Sequence, residues 1–420
     1  MKKFLAAVLV AVGLLAVPAL AGTTLRVVGV NHPYVDAIKN MIPEFEKETG
    51  IKVALETYGE DQLGQKLTTE FAAGGSSVDV FSTRPPQDAR VMHRNGWYAD
   101  LAGYIKDAPG YDWDDFTQSA HDAVTFNGFV VAVPTVNECH VMYYRKDLLE
   151  AQGLKVPTTM DELYDVVGKI TDKQNDIAGI ALRGQRSPLV TQFSSFLFSY
   201  GGDFFKDGKA TINTPEVIAA MMMYGKLLHN YGPDGALNMS WPQAAAVFAQ
   251  GKAGFWIDAS SLSSNVLDPA KSVVADKTGV AAFVAGPAGA KPYNISQWAL
   301  GIYSGSKNKD AAWKFVEFMT NKKGITYMQG VGLNQCPRKS VWETPEGTAN
   351  FHPEWVKAVA ASAITGVPYD RPLLAAVGEA RDIIGEVVTA AIEGRDEKTV
   401  KDRADAANVR FQALLDRENK

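Results

Sequence analysis

The sequence predicts an α/β protein whose sheets are mostly parallel, flanked by helices and divided between two domains. Two observations carry this. Strand and helix patterns alternate through the first part of the chain, the order that yields a parallel sheet with covered faces. The chain has 420 residues, 46% of them hydrophobic, which is more than one core usually holds.

The elements follow in order. Thr24 to Val30 reads as a strand, and Val35, Ile38, Ile42 and Phe45 mark one face of the helix after it. Pro43 predicts a kink or a restart within that helix, and Gly50 stands where a C-cap would. Ile51 to Glu56 is the second strand. Leu63, Leu67 and Phe71 lie four apart on the second helix, and Val78 to Ser82 is the third strand. Ligands on such sheets bind beyond the carboxyl ends of the strands, so the loops 31–34, 58–60 and 83–86 should face one. A second α/β region starts after Val130 to Pro134. Its helices are expected at 160–171, 189–200, 215–230 and 243–250, with strands at 179–182, 254–257, 280–284 and 298–303. The C-terminal part reads as helical at 312–320, 373–393 and 397–417.

Several function classes fall away on composition. Lys2 and Lys3, the apolar run from Phe4 to Val17 and the small residues before Gly22 form a secretory signal peptide, residues 1–21, with a core too short to span a bilayer. The expected site of action is therefore the periplasm. The formal charge is −5, and about −7 without Lys2 and Lys3, which argues against nucleic acid as a partner. Six His and two Cys show no metal-ligand spacing, and no phosphate-binding or nucleophile motif is present, so no metal, cofactor or catalytic residue is expected. Cys139 and Cys336 are too few for a disulfide framework, and the sequence leaves open whether they pair.

The chain resembles the extracellular solute-binding proteins of carbohydrate ABC importers, the group that includes maltose-binding protein. The resemblance rests on Pro43 to Val53, on Phe71 to Gly75 with Val78 to Val80, on Val133-Pro134 followed by Met142 to Leu149 and Pro157 to Leu163, on Phe248 to Gly254, and on Ser306 to Trp313. It implies two lobes with a ligand cleft between them, residues 22–134 and 287–330 in the first and 135–286 and 331–420 in the second. It also implies hinge closure on a sugar, polyol or short saccharide, delivery to the permease subunits, and a monomer. Three alternatives stay open: an acidic sugar or other anionic solute as ligand, a sensory role, and a secreted glycoside-active enzyme, which would need two facing carboxylates.

A hydroxylated ligand calls for planar hydrogen-bonding groups and aromatic surfaces. Asn31, His32, Tyr58, Glu60 and Arg84 lie on the three loops beyond the strand ends. Alternation puts Trp256 and Asp258 on one face of their strand, opposite Phe255 and Ile257; Asp258 reads equally as a helix cap. By resemblance Arg183 reaches ligand hydroxyls, as in sugar-alcohol binders of the family, and Trp298, Asn137 and Arg371 border the cleft.

Overall fold

The structure is a computed structural model that describes residues 22–75, 77–332 and 335–418. The expected signal peptide lies outside the described residues. Strands β1 (Thr24–Val30), β2 (Lys52–Tyr58) and β3 (Val80–Thr83) pair in parallel, with β1 in the middle. Helix α1 (Pro33–Thr49) joins the first two strands and α2 (Glu60–Ala72) the next two, while α3 (Pro85–Arg94) follows β3. Gly50 closes α1 at φ 71°, a left-handed cap that glycine adopts without strain. Pro43 neither breaks nor restarts α1. Met41 before it and Phe45 after it are both buried in the same core, so tertiary packing offsets the lost backbone donor.

The sheet has eight strands, and one of them runs through both lobes. Ala132–Arg145 is fourteen residues long and buried throughout. From Ala132 to Cys139 it pairs antiparallel with Asn294–Ile302, which in turn borders β3. From His140 it pairs with Ala253–Ala259 on one side, and from Val141 with Thr278–Ala282 on the other. Ala178–Ala181 lies parallel beyond Ala253–Ala259. At about 3.3 Å per residue such a strand spans roughly 45 Å, enough to cross from one lobe into the other.

Each lobe has its own core. One collects buried residues from Leu25 to Val136 and from Trp298 to Val341. Two adjoining clusters collect Cys139 to Ile295 and Phe351 to Leu415. By core membership the chain crosses after 136, after 295 and between 341 and 351, the last two later than the expected 287 and 331. The cause is packing. Tyr293 and Ile295 are buried in the second lobe before their strand enters the first, and Cys336 and Val341 are buried in the first. Both cysteines are free and buried.

Candidate ligand-binding site

A cavity of about 730 Å³ opens between the lobes. From the first lobe it is lined by Asn31 after β1, by Gly59 to Gln62 after β2 and by Arg84 after β3. These are the carboxyl ends of the parallel strands, where the βαβ order placed a ligand. From the second lobe come the segment Arg183 to Pro188, the helix start at Ser240 to Gln243, and Arg371 and Arg381. Gln297 lies where the chain crosses.

Local structure positions each of these groups. Glu60 opens α2, with its charge at the favourable end of the helix dipole. Arg84 caps α3, which Pro85 and Pro86 start rigidly; its backbone N–H donates to Asp88 Oδ2 at 2.9 Å, and its guanidinium lies 5.8 Å over the Trp298 ring. Ser240 and Gln243 form a capping box that fixes Trp241 at the start of its helix. The Arg183 backbone is held twice, its N–H donating to Gln192 Oε1 and its carbonyl accepting from Tyr224 Oη, both at 2.6 Å.

The electrostatics are dominated by buried arginine–carboxylate pairs. Arg183 Nε donates to Asp258 Oδ2 at 2.9 Å and Nη2 donates to Oδ1. Burial opposes the Arg183 cation, but Asp258 more than offsets this and raises its pKa. Arg371 is held by Asp370 through Nε at 2.7 Å and through Nη2. Burial pushes the Glu60 carboxyl up, yet Arg84 at 3.3 Å, Arg183 and the Trp241 N–H together leave its pKa lowered. Glu60 therefore stays ionised, as an acceptor.

Direct hydrogen bonds bridge the lobes. Trp241 Nε1 donates to Glu60 Oε1 at 3.0 Å. Gln87 Oε1 on α3 accepts from Arg371 Nη1 at 3.0 Å and from Arg381 Nη1 at 2.9 Å. Arg94 meets Glu418 at 3.1 Å.

Of the residues singled out in the sequence, Asn31, Glu60, Arg84, Arg183 and Arg371 come together on the cavity wall. The other six do not line it. Asp258 is fully buried behind Arg183 and serves as its counter-charge; its Oδ1 also accepts from the Ala259 N–H at 2.8 Å. Trp256 is fully buried and stacks on Tyr143 at 4.8 Å, because its strand is covered on both faces and alternation marks no cleft side. His32 caps α1 by accepting from the Tyr34 N–H at 3.4 Å, and burial lowers its pKa to about 4. Trp298 is buried beneath Arg84 and His32. Asn137 lies buried in the first crossing, with its backbone N–H donating to the Gln335 carbonyl at 2.8 Å. Tyr58 turns onto the lobe's outer face, where its hydroxyl donates to Glu56 at 2.7 Å and Lys66 lies over its ring.

Sequence reasoning missed Trp241, Arg381 and Gln297. Trp241 carried a readable signal, since a Trp between a capping Ser and Pro242 leads a helix instead of filling its buried face. Arg381 sits within the helix Val377–Ile392 and had no such mark.

Two lobes with independent cores, a shared strand and a polar cavity between them define a two-lobed ligand-binding protein of the type that clamps a solute. The chain belongs to the bacterial extracellular solute-binding protein family, whose model matches residues 31–326. It is 30% identical to the mannitol-binding protein of Pseudomonas aeruginosa over 346 residues, 80% of this chain and 76% of that one. An ABC transporter solute-binding protein of Agrobacterium radiobacter, solved in complex with ribitol, superposes with a TM-score of 0.85 at 29% identity, covering 94% of this chain and 99% of the other. One from Agrobacterium vitis, solved with bound D-mannitol, gives a TM-score of 0.80 at 28% identity, covering 94% and 98%. Among the described residues no helix is long and apolar enough to cross a membrane.

Proposed function

We propose that this protein captures a sugar alcohol or small sugar between its lobes and hands it unchanged to the permease of an ABC importer. It does so as a monomer in the periplasm, after removal of residues 1–21. The observation that carries this reading is the cavity to which both lobes contribute, with the Glu60 carboxylate and Arg84 facing Arg183, Gln185 and Trp241. Forked guanidinium donors, amides and an ionised carboxylate match a run of hydroxyls, and the Trp241 ring offers a surface for C–H groups. The volume suits a ligand from a short polyol to a small saccharide. The relatives that carry mannitol and ribitol in their names or complexes point the same way.

The lobes pivot where the chain crosses, near 137, 296 and 342–350, and a ligand that touches both walls favours the closed form by its differential affinity. The environment of Glu60 does not suit it to the general-acid role in glycoside cleavage. A glycoside-cleaving acid needs a raised pKa, and Glu60 is held low by Arg84, Arg183 and Trp241.

A thermal-shift screen of pentitols, hexitols, hexoses, disaccharides, amino acids and metal ions tests the proposal. Saturation at a hundred times Kd adds about 2.7 kcal/mol by linkage, so a polyol or sugar should raise the melting temperature visibly. A shift confined to amino acids or metal ions refutes the assignment, and a chemically altered sugar recovered after incubation refutes the binding-only part.

A further inference from the structure

The cavity wall carries five guanidinium groups. Four are already matched by carboxylates: Arg84 by Glu60 and Asp88, Arg183 by Asp258, Arg186 by Asp382 and Glu386, and Arg371 by Asp370. Arg381 differs. Its side chain is only 8% exposed, and among the described residues it forms no ion pair. Its Nη1 donates to Gln87 Oε1 at 2.9 Å and its Nη2 to Thr191 Oγ1 at 3.4 Å, while its enclosed Nε has no hydrogen-bond partner among the described residues.

Both of those acceptors are neutral, and both are shared. Arg371 Nη1 donates to the same Gln87 oxygen at 3.0 Å, and Arg371 Nη2 to the same Thr191 oxygen at 3.1 Å. Two guanidinium groups thus crowd onto two uncharged oxygens. The carboxylate beside them, Asp370, is taken up by Arg371. Burial, followed by the Arg371 charge, lowers the pKa of Arg381 to about 9 against the pull of Asp370. A buried cation without a counter-charge is costly, and the cost is relieved when an anion fills the place. The Nε is enclosed, but Nη1 and Nη2 each carry a second N–H beyond those given to Gln87 and Thr191, and such a pair can take a carboxylate.

We propose that the cavity selects a polyhydroxylated monocarboxylate, an aldonic or uronic acid, whose carboxylate pairs with Arg381 while its hydroxyls meet Arg183, Glu60 and Trp241. The proposal rests on the reading above, that the cleft takes a hydroxylated solute, and adds the ligand's charge. One negative charge matches Arg381, the wall's guanidinium that forms no ion pair among the described residues. A phosphomonoester brings nearly two, more than Arg381 alone can match.

Calorimetric titration of the protein with matched pairs tests this: mannitol against mannonate, glucose against glucuronate, and mannitol 1-phosphate as a dianionic control. The acid is expected to bind about tenfold or more tighter than its neutral partner, the scale of a charge-assisted pair. Arg381→Gln should erase that preference, chiefly by weakening the acid. Should that variant not fold, Arg381→Lys serves instead; it keeps the charge, loses the fork and should lower the preference in part. Neutral partners that bind as tightly as the acids, a preference for the phosphate, or an acid preference untouched in the variant would each overturn the proposal. Mannitol binding without mannonate binding overturns the charge assignment and leaves the polyol reading intact. Failure of every neutral and acidic sugar derivative overturns that reading itself.

Discussion

Arg183 and Asp258 should behave as one unit in the stability of the second lobe. Asp258 is fully buried and accepts from Arg183 Nε at 2.9 Å, Gln192 Nε2 at 3.2 Å and the Ala259 N–H at 2.8 Å. Arg183→Met leaves that carboxylate two neutral donors and no counter-charge. Asp258→Asn leaves a nearly buried guanidinium facing an amide. Breaking a buried pair on one side costs about 3–5 kcal/mol, whereas replacing both partners is often close to neutral. Each single variant should therefore lose about 3 kcal/mol, and the double variant Arg183→Met with Asp258→Asn about 1–2 kcal/mol, a coupling of roughly 4 kcal/mol. Urea unfolding of the four proteins, followed by Trp fluorescence, reads these values. Losses that simply add in the double variant would refute the claim that the two charges neutralise each other. The cycle also separates two roles of Arg183. Its removal is expected both to weaken ligand binding and to destabilise the lobe, and ligand titration of the same variants reads the first effect apart from the second.

Three further outcomes follow from the same geometry. Trp241→Ala removes the indole N–H that donates to Glu60 Oε1 at 3.0 Å across the cleft, together with the adjoining aromatic surface, and should weaken the preferred ligand about ten- to a hundredfold by titration while leaving the unfolding midpoint nearly unchanged. Gly184→Ala would set a Cβ 2.2 Å from the Ala236 carbonyl oxygen, so the loop carrying Arg183 must move; affinity should fall, and unchanged affinity would show that the loop position is unimportant. The pH profile of stability should peak near pH 6.5. Burial lowers His32 to about 4 and His140 to about 3, so each contributes stability that grows as pH rises towards 6.5. Burial raises Glu138 to about 8, so its contribution is full below 4.5 and lost as pH climbs to 8. Glu138→Gln should flatten the alkaline side in urea titrations at several pH values, and a persistent fall would remove Glu138 as its cause.

How much of this was legible in the residues differs between the lobes. In the first, local periodicity was enough. Leu63, Leu67 and Phe71 mark the buried face of α2, and the loops after β1, β2 and β3 deliver Asn31, Glu60 and Arg84 to the cavity, because a parallel βαβ unit puts all strand ends on one side. In the second lobe, strand alternation grouped Trp256 with Asp258 correctly but said nothing about which face met the cleft. Both faces of that strand are covered, so burial overrode the pattern. The partnership of Arg183 with Asp258 joins residues far apart in the chain, and only the parallel pairing of Ala178–Ala181 with Ala253–Ala259 brings them together. Arg371 lines the wall, whereas Arg381 lies in a helix most of whose residues pack the core, so its place on the wall had no mark in the pattern.

The measurement that bears most directly on the central claim is a crystal structure of the protein with its preferred sugar derivative bound. The account predicts one ligand between the lobes, hydrogen-bonded both to Glu60 or Arg84 of the first and to Arg183 of the second. A ligand held by one lobe alone, or bound outside this cavity, would contradict it.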